Sequence, residues 1–483
     1  DTKYGAMRIA NGHEAPFNLR LIEIGNENYN YSSTTNNDQS LEYAERYYKF
    51  YQAIKAAYPD AVCIGNVESW GTDNPTWRNS YPVDAVDEHY YRSPSWFVSQ
   101  YSKYDGYDRT KSPKIYAGEY AVTQNFGTTG TLAAALGEAI YMQGMENNSD
   151  ICIMGSYAPI FVNENDQKWM PDMIRFNASE SYGTPSYYVQ KLMPNYVGKE
   201  NVKWTETGNK VNDKANYGGL STWSTTATFT NYKVTKADGT TYNAKFNGTE
   251  KWTDNGGSWA ESNGTLTQGS ASMQGLLYAN LNTELGDNYT IELDATKTSG
   301  AEGFLIAFNY NDSDNFCWWN LGGWNNTQHA VEVCKDGTKT TVASAAGSLV
   351  TGKTYHIKIE VEGAKVRCWL DGSMLHSFAL PTERKVYVSS SIDDSTGKLY
   401  VKIVNPGSES QNTTLNLKGY HATSGKLVQM TSTTDKAENT NSDHYAVVPT
   451  EQEMALSGSK MLITIPAYSF NILELNVSQG ETG

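Results

Sequence analysis

Apolar and polar positions follow two rhythms along the chain, and the change falls near residue 195. Before it, short apolar runs are separated by stretches with helical spacing. "LRLIEIG" (19–25), "AVCIGN" (61–66), "VDAVDEHYY" (83–91), "KIYAGEYA" (114–121) and "DICIMGSYAPIF" (150–161) read as strands. Between the first two, Leu41, Ala44, Tyr48, Tyr51 and Ile54 recur at helical spacing, and Pro59 closes the helix. Residues 93–107 and 131–148 also read as helices, the second with small residues suited to close packing. Pro185 opens a further helix near its first position.

Five strands alternating with helices predict a parallel sheet. Strands recurring every 20–40 residues or so fit a (β/α)₈ barrel, of which five units are present and about three are wanting. Such a partial barrel leaves open strand edges. The expectation is therefore the second half of a barrel (strands four to eight). Its first half is expected in an upstream segment or a companion polypeptide, and the chain by itself is expected to be inactive. After residue 195 the pattern becomes alternating, with Gly, Asn, Asp and Thr turns, as in β-sandwiches. "KLYVKIVNP" (398–406), "TTLNLKGY" (413–420) and "MLITIPAYSFNILELNV" (461–477) are its clearest strands, and "GGLSTWSTTATFTNYKV" (218–234) reads as another.

In such barrels the chemistry sits where strands end at their C-terminal edge. The polar residues there are Asn26-Glu27, Asn66, Glu88, His89 and Tyr91, Glu119, and Ser156-Tyr157. Glu27 and Glu119 lie 92 residues apart, which is three units of about 30 residues, so both face one barrel mouth. Two carboxyl groups across a pocket are what glycoside hydrolysis needs. One protonates the leaving oxygen, and the other attacks or directs water. Each glutamate taken singly also suits a solvated loop, and His89 and the adjacent tyrosines suit a core. The pair at this spacing is what favours chemistry.

Charge and composition narrow the field. The net charge of −15 argues against nucleic acid and anionic membranes, which need basic patches. No apolar stretch reaches the 18 residues or so of a membrane span. The 34 tyrosines and 12 tryptophans suit sugar stacking and strands alike. Five cysteines form no C-x-x-C pair, which excludes a zinc ribbon; Cys63 and Cys152 read as core residues, and Cys317, Cys334 and Cys368 leave room for one disulfide. Sequons such as Asn30, Asn177 and Asn412 favour a secreted protein.

"IEIGNEN", "DEHYY", "YAGEYA", "GSYAPIFVN" and "TPSYYVQ" occur in this order and spacing in the α-L-arabinofuranosidases of glycoside hydrolase family 51, which the chain resembles over residues 1–195 and its last hundred or so. The resemblance implies that Glu27 is the general acid/base and Glu119 the nucleophile. It implies that Asn26 binds the sugar 2-hydroxyl, that Tyr91 hydrogen-bonds the nucleophile, and that His89 lines the pocket. It implies a retaining mechanism that needs no metal or cofactor.

The implied domains are the C-terminal part of the barrel (1–195), an inserted module (206–385), and a C-terminal β-sandwich (196–205 with 386–483). The insert resembles a concanavalin-like jelly roll of the laminin-G type. Its Trp318, Trp319 and Trp324 suit a sugar platform or core packing, and "NYNDSD" (309–314) suits calcium or a polar hairpin. The implied substrate is an arabinofuranose-containing polysaccharide such as arabinoxylan or arabinan. Two other functions remain open, an endo-acting β-glucanase or xylanase of the same barrel clan and a non-catalytic glycan-binding protein.

Overall fold

The computed structural model describes residues 2–28, 38–70, 79–124, 130–209, 215–254, 256–271, 278–335, 337–380, 383–455 and 458–479. The sequon at Asn30 lies outside them. The chain packs as two units, residues 1–91, 109–120 and 149–158, and residues 92–108, 121–148 and 159–483.

The first unit is built on a five-stranded sheet in sequence order, β1 (Leu21–Glu23), β2 (Val62–Asn66), β3 (Ala85–Arg92), β4 (Lys114–Val122) and β5 (Cys152–Tyr157). β1–β2, β2–β3 and β4–β5 pair in parallel. Helix α1 (Lys3–Ala10) precedes β1, and α2 (Asp38–Ala57) and the short α3 (Val67–Trp70) flank β2. The buried stripe of α2 carries Tyr43, Ala44 and Tyr47. Its tyrosines are structural polar handles. Tyr47 donates its hydroxyl to Cys63 O at 3.1 Å, and its ring meets Trp70 edge-on at 5.0 Å. Among the described residues β1 pairs only with β2, and Leu19 and Leu21 stay exposed beside its free edge.

The second unit contains α4 (Pro94–Ser99), α5 (Leu132–Asn147) and α6 (Pro185–Asn195). Pro185 stands at the start of α6, where its missing N–H costs nothing. Leu136, Ile140, Val189 and Met193 of α5 and α6 share a core with Tyr387, Val404, Phe470 and Ile472. These last belong to a six-stranded sheet that also pairs residues 200–201 with 387–393. A buried Lys402 ties the two layers together, pairing with Glu146 and donating to Met193 O at 2.9 Å.

Residues 217–379 supply a seven-stranded and an eight-stranded sheet whose facing sides enclose Phe229, Ile291, Phe304, Ile306, Trp319 and Ile357. The stretch 218–234 is two strands rather than one. The chain leaves the first sheet at Thr222 and enters the other at Thr225, with Ser224 at φ +44°. Trp319 packs in the core between the sheets. Trp318 points from the opposite face, against Phe316 at 4.8 Å, and Trp324 is exposed. Residues 309–314 lie in a hairpin whose Asp312 Oδ1 accepts from Asp314 N at 3.0 Å. All five cysteines are free and buried, so the one disulfide allowed by the sequence does not form.

This module carries two buried histidines. Burial pushes His376 down to about 4, with the charge of His329 adding to the effect, and burial also lowers His329. A base whose folded pKa is depressed binds more protons unfolded. Its stabilising effect is complete above about 6.5 and is lost as pH falls from there toward 4. Thermal melts of the wild type should therefore lose several degrees between pH 7 and 4.5. His376→Leu should lose less, and an equal loss in both would contradict this assignment.

Candidate active site

Where the apolar run of β1 stops, the backbone makes a tight turn. Ile24 N–H still bonds Ile64 O at 3.0 Å, and Gly25 then takes φ +94°. A Cβ at Gly25 would lie 2.0 Å from Asn28 Oδ1, the atom that accepts Asn26 N–H at 3.0 Å. Glu27 follows at φ +48°, a left-handed conformation that a non-glycine residue holds only with outside support. Two neighbours give that support. Tyr43 of α2 donates its hydroxyl to Ile24 O. The Asn66 side chain reaches the same loop, its Nδ2 donating to Asn28 Oδ1 at 3.4 Å.

Side chains two apart on a strand point the same way, so Asp87, His89 and Tyr91 share one face of β3. Glu88 and Tyr90 take the other face, where the Tyr90 hydroxyl donates to Glu88 Oε2 at 3.0 Å. On the first face His89 is the hub. Its Nδ1 lies 2.9 Å from Glu27 Oε1 and 3.5 Å from Glu119 Oε2. Its Nε2 lies 2.5 Å from Asp87 Oδ2. Tyr91 donates its hydroxyl to Glu119 Oε2 at 2.5 Å. One oxygen of Glu27, one of Glu119 and a ring nitrogen of His89 all fall within 4.8 Å of one another. Burial pulls the His89 imidazole down, but its hydrogen bonds to Asp87 and Glu27 and the charges of Asp87 and Glu119 outweigh it and raise the ring to about 9.

The structure thus brings together Glu27, His89, Tyr91 and Glu119, and sets Asn26 exposed in the turn beside them. Asp87 was not singled out by sequence reading, although its place two residues before His89 on an alternating strand was a usable signal. Gly118 was missed as well. A Cβ there would lie 2.0 Å from Asp87 Oδ1, so the residue before Glu119 must be small to let β3 and β4 approach. A cavity of about 600 Å³ opens beside β1, where Ile22, Ile24, Tyr43, Tyr47 and Phe50 stand beside Glu23, Glu42 and Arg46, and Glu27 itself is part of its lining.

The family described as "Alpha-L-arabinofuranosidase C-terminal domain" matches residues 118–469, and that described as "Alpha-L-arabinofuranosidase 1 domain" matches residues 1–109. An extracellular exo-α-L-arabinofuranosidase of Streptomyces chartreusis is 37% identical over 98% of this chain and 57% of its own length. α-L-Arabinofuranosidase 1 of Arabidopsis thaliana is 41% identical over 44% of this chain and 29% of its own length. The chain therefore spans little more than half of the first relative and less of the second. An arabinose-bound family 51 α-L-arabinofuranosidase structure superposes on 99% of this chain and 48% of its own, with a TM-score of 0.54 at 19% identity, which is a likeness of fold. With both of its parts matched and a relative aligned along nearly its whole length, the chain belongs to the α-L-arabinofuranosidases of glycoside hydrolase family 51.

Proposed function

We propose that this chain carries the catalytic pair of a retaining α-L-arabinofuranosidase that releases terminal arabinofuranosyl residues from arabinoxylan or arabinan. The observation that carries the reading is the approach of the Glu27 and Glu119 carboxyl oxygens to within 4.8 Å. Retaining enzymes place their carboxyls about 5–5.5 Å apart, and inverting enzymes leave about 6.5–9.5 Å for a water. Glu119, held by Tyr91, attacks the anomeric carbon as the C–O bond to the aglycone breaks, and Glu27 protonates the departing oxygen. Glu27 then takes a proton from water, which attacks the arabinosyl-enzyme and frees Glu119. Asn26, exposed in the same turn, donates to the sugar 2-hydroxyl, a contact that strengthens as the oxocarbenium-like transition state forms.

In this reading β1 to β5 are strands four to eight of the barrel, residues 206–385 are an inserted module, and 196–205 with 386–483 form the C-terminal sandwich. The extracellular Streptomyces relative supports a secreted setting.

The test is hydrolysis of 4-nitrophenyl α-L-arabinofuranoside in aqueous methanol, with the chain alone and with the chain extended to the length of that relative. Double displacement gives methyl α-L-arabinofuranoside as the first solvolysis product by proton NMR, and the β-anomer would overturn the mechanism. The steps use no metal, so dialysis against EDTA should leave the rate unchanged; a loss restored by a divalent cation would refute this part of the reading.

A further inference from the structure

Asp87 takes no part in the double displacement, yet it holds the far side of the His89 ring. We infer that Asp87 positions His89: it fixes the ring with a proton on Nε2, so that Nδ1 shares with Glu27 the proton the reaction moves. The inference rests on the acid/base reading of Glu27.

The geometry is that of a relay with one end buried. Asp87 Oδ2 takes the Nε2 side of the ring at 2.5 Å, and Nδ1 faces Glu27 Oε1 at 2.9 Å. A carboxylate on one ring nitrogen decides which atom the other nitrogen presents. The groups facing the ring are Glu27 and Glu23 from β1 and its turn, Asp87 and Tyr91 from β3, and Glu119 from β4. All the ionisable ones except the tyrosine are carboxyls, so a cation at His89 offsets several negative charges.

Asp87 is nearly fully buried, and its second oxygen, Oδ1, is packed against Gly118 with no hydrogen-bond partner among the described residues. A buried carboxylate oxygen without a donor is costly, so the bond from Nε2 to Oδ2 is what holds Asp87 and the ring in register. The proton count closes over the cycle. The Nδ1–Oε1 line gives one proton to the leaving oxygen and regains one from the attacking water, and the Nε2 proton stays in place throughout.

The test reads the ring itself, not turnover. The chain is labelled with ¹⁵N-histidine, and His89 is assigned by the signal lost in His89→Gln. In the wild type the ring is expected to stay protonated at Nε2 through neutral pH and to titrate near 9. In Asp87→Asn the midpoint should fall by about two pH units, toward the ordinary value near 6.5. An unchanged midpoint in this variant overturns the role of Asp87. Glu88→Gln removes a carboxyl on the other face of β3 and should leave the midpoint where it was. An equal fall in that variant overturns the assignment to Asp87. Unchanged amide spectra elsewhere establish that each variant is folded. Because no substrate enters, an enzyme inactive on arabinofuranosides would refute the function above without touching this result.

Discussion

Glu119→Ala, made in the chain extended to the length of the Streptomyces relative, is expected to lower hydrolysis of 4-nitrophenyl α-L-arabinofuranoside by at least about 10³-fold, with the melting temperature nearly unchanged. In the proposed double displacement this carboxylate forms the bond to the anomeric carbon while Glu27 serves as the acid. Tyr91 points its hydroxyl at Glu119 Oε2, and His89 stands 3.5 Å from that same oxygen, so both would lose a partner and neither can attack. Sodium azide should restore part of the rate by a diagnostic route. The anion enters the space left by the side chain and forms a C–N bond on the face opposite the aglycone as 4-nitrophenolate leaves. The product is then β-L-arabinofuranosyl azide, detectable by NMR. Recovery of the α-azide, or full activity without azide, would place the nucleophile elsewhere. The small effect on folding follows from position: the Glu119 side chain is 30% exposed and sits among other acids, so its removal relieves repulsion at little packing cost.

Much of this site could be read from apolar runs that break abruptly. "LIEIG" turns at Gly25 just before Glu27, whereas "KIYAG" runs straight on through Glu119 inside β4, and the structure sets both glutamates at Nδ1 of His89. What escaped was the layer behind them. Asp87 has the same residue type as many solvated aspartates, and only strand alternation separates its buried face from that of Glu88. The left-handed turn at Glu27 was equally hidden, because glutamate has no preference for it. The turn is braced by Tyr43 and Asn66, which arrive from elements 16 or more residues away.

The β-rich part follows the same logic. Adjacent Trp318 and Trp319 must face opposite sides of one strand, which rules out a shared sugar platform. The crossing between sheets at Trp223-Ser224 carries no Gly or Pro, so nothing local divided 218–234 into two strands. Three cysteines compatible with a bridge lie at positions fixed by separate strands. Cys317 and Cys334 occupy neighbouring strands with opposite faces, and Cys368 belongs to the other sheet.

Glu27→Ala is expected to separate two roles that Glu119→Ala cannot. The acid step matters in proportion to how badly the aglycone leaves. For an alkyl or sugar leaving group the variant should lose about 10³-fold or more in kcat/KM, whereas 2,4-dinitrophenolate departs without protonation and should show a far smaller loss. With the dinitrophenyl substrate the first step stays fast and the second slows, because no base is left to activate water. A burst of dinitrophenolate should precede slow turnover, and the arabinosyl group should be found on Glu119 by mass spectrometry of the trapped protein. Azide should now accelerate the second step and give the α-azide, the opposite anomer from that of Glu119→Ala. The contrast tests the assignment of both glutamates at once. His89 lies 2.9 Å from Glu27 and 3.5 Å from Glu119, so proximity to the ring alone does not say which carboxyl does which task. Equal losses on good and poor leaving groups would remove Glu27 from the acid role and leave it, at most, a residue that orients the imidazole.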